Sequence, residues 1–233
     1  EIHMRYVMSD IHGEYGLCMH LLDKIKFCDS DTLYVCGDMV DKGDESVHLL
    51  QFLLNAPNVR CILGNHEYGF LAYYWAMMKH SPSDFDGLLK DLRRWFQGDG
   101  RLLDWDTVDK LEALPLYIEE EQFICVHAGL PLDDDGRIVP PAAARDMIIL
   151  EDRNFMRPEV VPKDGKCVFF GHTPTRNVCD EDVILAYKRP GRRGDCIADY
   201  YKVHLDTGTW LGGPLGCFCI ETCRAHYIKG RII

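Results

Sequence analysis

Five short polar clusters stand out in the chain: Asp10-Ile11-His12, Gly37-Asp38-Met39-Val40-Asp41, Gly64-Asn65-His66-Glu67, His127-Ala128-Gly129 and Gly171-His172-Thr173. Each contains hard oxygen donors, imidazoles or both, and each follows an apolar run. Mixed Asp, Asn and His donors suit borderline or hard divalent cations such as manganese, zinc or iron. Six such donors exceed the set that one tetrahedral zinc requires, which points to two cations. A carboxylate shared by ions about 3.5–4 Å apart can hold a hydroxide between them. Asp38, central in the set, is the natural bridge. Taken alone, each cluster is weak evidence, because a single His at a strand end is usually structural and Asp-Gly is usually a turn. All five in order, each behind a strand, point to metal-assisted hydrolysis.

The elements that must position these clusters follow from the hydrophobic pattern. Runs at 5–8, 32–36 and 59–63 read as strands, and 15–25 and 45–54 read as helices between them. A βαβαβ order implies parallel strands joined by crossover helices, and ligands collect at the carboxyl ends of such strands. Residues 68–114 read as a helical insertion over the sheet, broken at Ser81-Pro82-Ser83-Asp84, with a second helix over 88–96. Its aromatic stripe reads as core. After Pro115 the pattern becomes strand-rich, with candidates at 116–118, 123–127, 166–170, 201–205, 216–221 and 224–228. The last two form a hairpin turning near Thr222 and Cys223. The expected class is α/β (α+β), in a single domain over 1–233.

Acidic residues number 37 against 26 basic ones, a net charge of −11. That field repels nucleic acid and anionic membrane, so neither is an expected partner. Phosphorylated substrates remain compatible, because bound cations reverse the field locally. No secretory signal is expected from Glu1-Ile2-His3-Met4, no apolar run of about eighteen residues occurs, and residues 1–3 read as a cloning remnant. Among eleven cysteines, Cys36, Cys61, Cys125 and Cys167 lie in apolar runs, as small buried hydrophobes do. The odd count fits a reducing cytoplasm, the expected location. Cys217, Cys219 and Cys223 lack the paired spacing of a structural zinc site.

The ordered clusters resemble the PPP-type serine/threonine protein phosphatases within the calcineurin-like metallophosphoesterases, above all their small bacterial and phage members. The resemblance runs from Met4 to about Ile228 and includes Leu114-Pro115-Leu116-Tyr117, Val126-His127-Ala128-Gly129-Leu130 and Phe170-Gly171-His172-Thr173-Pro174. Leu205-Asp206-Thr207-Gly208 and Leu211-Gly212-Gly213-Pro214-Leu215 match bacterial members as well. It implies a β-sandwich of mixed sheets flanked by helices. It implies one cation held by Asp10, His12 and Asp38, and a second held by Asp38, Asn65, His127 and His172. Manganese is the first expectation, with iron or zinc as alternatives. His66 would be the general acid and Asp41 its orienting carboxylate, while Lys42, Asn65 and Arg153 would hold the substrate phosphate. The family usually carries Arg where this chain has Lys42. A lysine offers a point charge in place of a planar fork, so weaker phosphate holding is expected. His204 and Asp206 are expected to be structural, and His20, His48, His80 and His226 incidental.

The implied reaction is hydrolysis of a phosphate monoester, on a phosphoprotein or a small phosphoester, by direct attack of a metal-bridging hydroxide. Dinucleoside polyphosphate hydrolysis, as by a bis(5'-nucleosyl)-tetraphosphatase, is the nearest alternative. Phosphodiesterase action on nucleic-acid ends is a third, disfavoured by charge. A non-catalytic binding module built on the same fold is the reading from another class, and the complete ligand set argues against it.

Overall fold

The computed structural model describes residues 3–80 and 95–229. Strands β1 (Arg5–Met8), β2 (Thr32–Val35) and β3 (Val59–Cys61) run parallel, joined by α1 (Tyr15–Lys24) and α2 (Ser46–Asn55), as the βαβαβ pattern requires. Antiparallel β9 (Leu215–Cys219) and β10 (Arg224–Ile228) extend this sheet to the order β10-β9-β1-β2-β3. The second sheet has the order β4-β5-β6-β8-β7. Its middle strands β5 (Phe123–Val126), β6 (Cys167–Phe170) and β8 (Tyr200–His204) are parallel, and β4 (Tyr117–Glu119) and β7 (Leu185–Lys188) close its edges antiparallel.

Side-chain alternation builds the layers. In the first sheet Tyr6, Met8, Leu33 and Val35 pack outward with Leu21 and Leu22 of α1 and Leu49, Leu50 and Leu53 of α2. Val7, Tyr34 and Cys36 point the other way, against Phe123, Cys125, Cys167 and Phe169 of the second sheet. That sheet's outer face, with Ile124, Val126, Val168 and Phe170, covers Ile149 and Phe155. Strands buried on both faces cannot alternate apolar with polar, which is why they read as continuous apolar runs. Phe169 is fully buried between the sheets, where truncation to Ala costs about 3–5 kcal/mol.

Helix α3 (Asn65–His80) starts three residues before position 68, so Asn65, His66 and Glu67 form its first turn. Phe70 and Tyr74 are core, packed with Trp95 and Phe96, whereas Tyr68 and Trp75 are exposed. The break expected at 81–84 and most of the helix expected over 88–96 lie outside the described residues. Trp95 lies in a turn and Phe96 is not helical. Helix α4 (Trp105–Glu112) follows, its first turn capped by Asp104, which accepts from the Thr107 amide at 2.8 Å.

Some elements went unforeseen. β7 is an edge strand of half-buried and exposed residues, although it continues the apolar run Val183-Ile184-Leu185-Ala186-Tyr187. α5 (Asp146–Glu151) is six residues long, too short to show a helical period. The final hairpin turns over residues 220–223, close to the expected Thr222 and Cys223. All eleven cysteines are free, and Cys36, Cys61, Cys125, Cys167, Cys217 and Cys219 are buried. Among the described residues no helix is long and apolar enough to cross a membrane.

Candidate metal centre

The parallel strands of both sheets deliver their carboxyl ends to one place. Asp10 and His12 follow β1, Asp38 and Asp41 follow β2, and Asn65 and His66 open α3 after β3. From the other sheet, His127 follows β5 and His172 follows β6. The β1 and β2 loops are laced by backbone bonds from Asp10 N to Gly37 O (3.1 Å) and from His12 N to Asp38 O (2.9 Å). Contacts at this end join the sheets, among them His127 Nδ1 at 2.8 Å from Cys36 O and the His172 amide, which donates to Asp10 Oδ2 at 3.0 Å.

The approach is too close for ordinary residues. A Cβ on Gly64 would fall 2.2 Å from Asp38 Oδ1, and one on Gly171 would fall 1.9 Å from Asp10 Oδ2. Backbone strain gathers here too. Among the described residues nine non-glycines have positive φ, and six of them are Asp10, His12, Asp38, Asp41, Lys42 and His172. A left-handed backbone costs an L-residue about 1–2 kcal/mol, so its concentration in one set of loops marks a functional site.

Asp38 is the hub. The donor atoms of His12, Asp38 and His66 lie within 4.8 Å of one another, as do those of Asp38, His127 and His172. Asn65 Oδ1 faces His127 Nε2 at 2.9 Å and His172 Nδ1 at 3.2 Å, which places the amide oxygen in the second group. Asp10 stands beside the first, its Oδ1 4.0 Å from His12 Nε2 and its Oδ2 accepting from Ser9 Oγ at 2.5 Å. Burial pushes the Asp38 carboxyl up, but the His127, His12 and His66 imidazoles outweigh it and hold Asp38 well below the usual carboxylate range. Asp10 goes the other way, raised by burial and by the charges of Asp206 and Asp38. Burial opposes a charge on His127, yet Asp38 and Asp10 push it up to about 10. Burial and the neighbouring His127 bring His172 down to about 3.

His66 Nδ1 lies 2.8 Å from Asp41 Oδ2, and its Nε2 lies 3.7 Å from Asp38 Oδ2. Burial lowers His66, but the Asp41 hydrogen bond and the Asp38 charge carry it above its ordinary value. Lys42 is partly exposed, with Nζ 3.8 Å from Asp41 Oδ2. Arg153, just beyond α5, is exposed, and its charge helps to lower His172. His204 is fully buried, stacks on Phe170 and donates from Nε2 to Thr173 O at 2.6 Å, which steadies the loop carrying His172.

Glu67, at the end of the Gly64-Asn65-His66-Glu67 cluster, has a task that the cluster itself does not announce. Fully buried, it accepts from the amides of Asp38 (2.8 Å), Met39 (2.7 Å), Val40 (2.9 Å) and Gly64 (2.8 Å). One carboxylate therefore fixes the whole Asp38 turn. The signal was an acidic residue on the first turn of a helix, where such groups are favoured. Lys202 gave no signal, because a lysine inside an apolar strand reads as exposed. Its ammonium is buried and donates to Phe155 O (2.8 Å), Arg157 O (2.7 Å) and Val160 O (2.9 Å), tying down the segment after Arg153.

The donor set fits divalent cations. Asp10, Asp38 and Asp206 bring three carboxylates into one buried volume, and uncompensated buried charge is costly. Among the described residues Asp206 Oδ2 and His172 Nε2 are buried without a hydrogen-bond partner. Oxygen and imidazole donors around a shared carboxylate suit hard or borderline ions.

Fold and donor set together suit metal-assisted phosphoester chemistry. The profile of the calcineurin-like phosphoesterases matches residues 5–204, and the chain belongs to that family. A symmetrical bis(5'-nucleosyl)-tetraphosphatase of Salmonella paratyphi C (strain RKS4594) is 34% identical over 129 residues, 54% of this chain and 43% of its own length. Its counterpart in Haemophilus ducreyi (strain 35000HP / ATCC 700724) is 30% identical over 154 residues, 64% of this chain and 54% of its own. The chain thus spans about half the length of the curated relatives it matches. Among solved structures, a candidate diadenosine tetraphosphatase superposes with a TM-score of 0.65 at 20% identity, covering 99% of this chain and 95% of that one. A protein serine/threonine phosphatase from Saccharomyces cerevisiae gives 0.52 at 14% identity, covering 99% and 81%. At those identities the likeness is one of fold. The calcineurin-like superfamily expected from the motifs is the one found, while the match does not single out its PPP-type protein phosphatases. These two relatives carry the tetraphosphatase name, the alternative in the sequence reading.

Proposed function

We propose that the chain hydrolyses a dinucleoside polyphosphate, adding one water across a phosphoanhydride to release two nucleoside phosphates. The substrate class rests on one observation: the relatives at 30–34% identity are named symmetrical bis(5'-nucleosyl)-tetraphosphatases. In this reading Asp10, His12 and Asp38 would hold one divalent cation, and Asp38, Asn65, His127 and His172 a second, with manganese preferred. Such cations, when bound, supply Lewis acidity and bring the acidity constant of coordinated water toward neutrality.

The chain's own residues supply the rest. Asp41 accepts from His66 Nδ1 across 2.8 Å, which fixes the tautomer and turns Nε2 toward the substrate. As water adds to phosphorus and the bridging P–O bond breaks, His66 Nε2 gives its proton to the departing oxygen. Lys42 and Arg153 neutralise the phosphate oxygens as charge gathers on them. The attacking water gives up a proton to solvent as its oxygen bonds phosphorus, His66 regains a proton from solvent after the product leaves, and no phosphoenzyme is required.

A second reading, serine/threonine protein phosphatase, is favoured by the His66–Asp41 pair together with the Gly37…Gly43 motif. Both are tested on one plate with manganese: diadenosine tetraphosphate against a phosphoserine peptide. Turnover of the dinucleotide at least tenfold faster supports the first reading. Turnover of the peptide alone would replace it with the second.

A further inference from the structure

The loop after β8 carries an aromatic side chain that the chemistry above leaves idle. Trp210 is 43% exposed, a large apolar ring left open to solvent. Its centroid lies 6.4 Å from the His12 ring and 5.1 Å from Lys42 Nζ. The indole therefore borders the same opening as the proposed ligands, on the side where Lys42 would hold phosphate.

The loop that presents it is not slack. Thr207 Oγ1 donates to Pro214 O at 2.6 Å, and Thr209 Oγ1 reaches the same oxygen at 3.2 Å. Gly213 N donates to Gly208 O at 2.9 Å, and Asp206 Oδ1 accepts from Gly208 N at 2.9 Å. A Cβ on Gly213 would fall 2.1 Å from Thr207 O, so the loop closes on itself. Its polar groups are spent inward while its largest side chain faces out. An aromatic ring held rigidly in this way binds with little further loss of freedom.

A flat, exposed ring beside a cation and next to a phosphate-handling centre matches the chemistry of a nucleotide. Bases stack on aromatic side chains regardless of sequence, because every base has a π face. We infer that Trp210 stacks the base of a nucleoside phosphate whose phosphate chain passes Lys42 toward Asp38. This inference deepens the dinucleoside polyphosphate reading and rests on it. The competing role for Trp210 is to prop Lys42 through the ring–ammonium contact, in which case any phosphate ligand would feel its loss equally.

Two ligands that resist hydrolysis separate the roles: α,β-methylene-ADP, which carries a base, and methylenediphosphonate, which does not. Their binding to the manganese-loaded protein is measured by calorimetry for the native chain, Trp210→Ala and Trp210→Phe. Stacking is worth about 1–3 kcal/mol per base, so Trp210→Ala should weaken the nucleotide about tenfold, leave methylenediphosphonate within twofold, and be largely rescued by Trp210→Phe. Equal losses for both ligands, or none for the nucleotide, would overturn the inference. Turnover of diadenosine tetraphosphate by the native chain is scored alongside. Base-dependent binding without turnover leaves the subsite standing and removes the substrate reading. Turnover with nucleotide binding unaffected by Trp210→Ala does the reverse.

Discussion

The floor and the rim of the centre are held in opposite ways. At the floor, Asp10, His12, Asp38 and His127 are buried, and backbone amides, Glu67 and Cys36 O fix their loops from several directions. At the rim, Lys42, Arg153 and Trp210 are exposed or half-exposed, and no described residue forms an ion pair with Arg153. A buried side chain held by many partners keeps one geometry, which the binding of small hard ions demands. An exposed side chain with few partners of its own is cheap to change, even where, as at Trp210, the loop beneath it is braced. On the proposed function, the floor would set the class of reaction and the rim the substrate.

That division can be broken by experiment, beginning where the effect is greatest. Asp38→Asn removes the charge shared by both donor groups. Turnover should fall by on the order of a thousandfold, from several kcal/mol of lost charge stabilisation, and elemental analysis should find less than the full complement of manganese. Normal metal content and turnover would place the centre elsewhere. Glu67→Gln turns donors toward two of the four amides that now meet a carboxylate. About 2–5 kcal/mol of stability should be lost in urea unfolding; an unchanged midpoint would mean that the Asp38 turn holds itself.

The next two tests approach the rim. His66→Asn should cut turnover by about a hundredfold, as loss of a general acid does, while bound metal and melting temperature stay as they were. A variant that lost metal as well would move His66 to the floor. Lys42→Arg should have the smallest effect: a planar fork grips phosphate better, by about 1 kcal/mol or roughly a fivefold lower KM for an aryl phosphate. If kcat and KM both stay put, Lys42 does not touch the phosphate.

How legible each region is in the sequence follows the same division. The floor residues are short motifs behind apolar strands, and parallel topology forces those strand ends together, so Asp10, His12, Asp38, Asn65, His127 and His172 can be found from pattern alone. Glu67 lies at the end of one such motif, but its task depends on amides that only the folded turn lines up. Trp210 sits in a Gly-rich loop with no periodicity around it, and nothing in the letters Thr-Trp-Leu says which way the ring faces. α5 escaped because six residues cannot display a helical repeat, whereas β7 had a signal in the apolar run Val183-Ile184-Leu185-Ala186-Tyr187.

The left-handed backbone at Asp10, His12, Asp38, Asp41, Lys42 and His172 bears on the order in which the molecule assembles. None of these residues would choose that conformation in an isolated loop. They keep it because loops from both sheets brace one another, as where the His172 amide meets Asp10 and His127 meets Cys36 O. Each sheet can therefore collapse on its helices before the reactive turns take shape, and those turns close only when the two halves dock. In hydrogen exchange the amide of His172, whose partner Asp10 belongs to the other sheet, should acquire protection late during refolding and lose it early on the way out, well ahead of the strand that carries it.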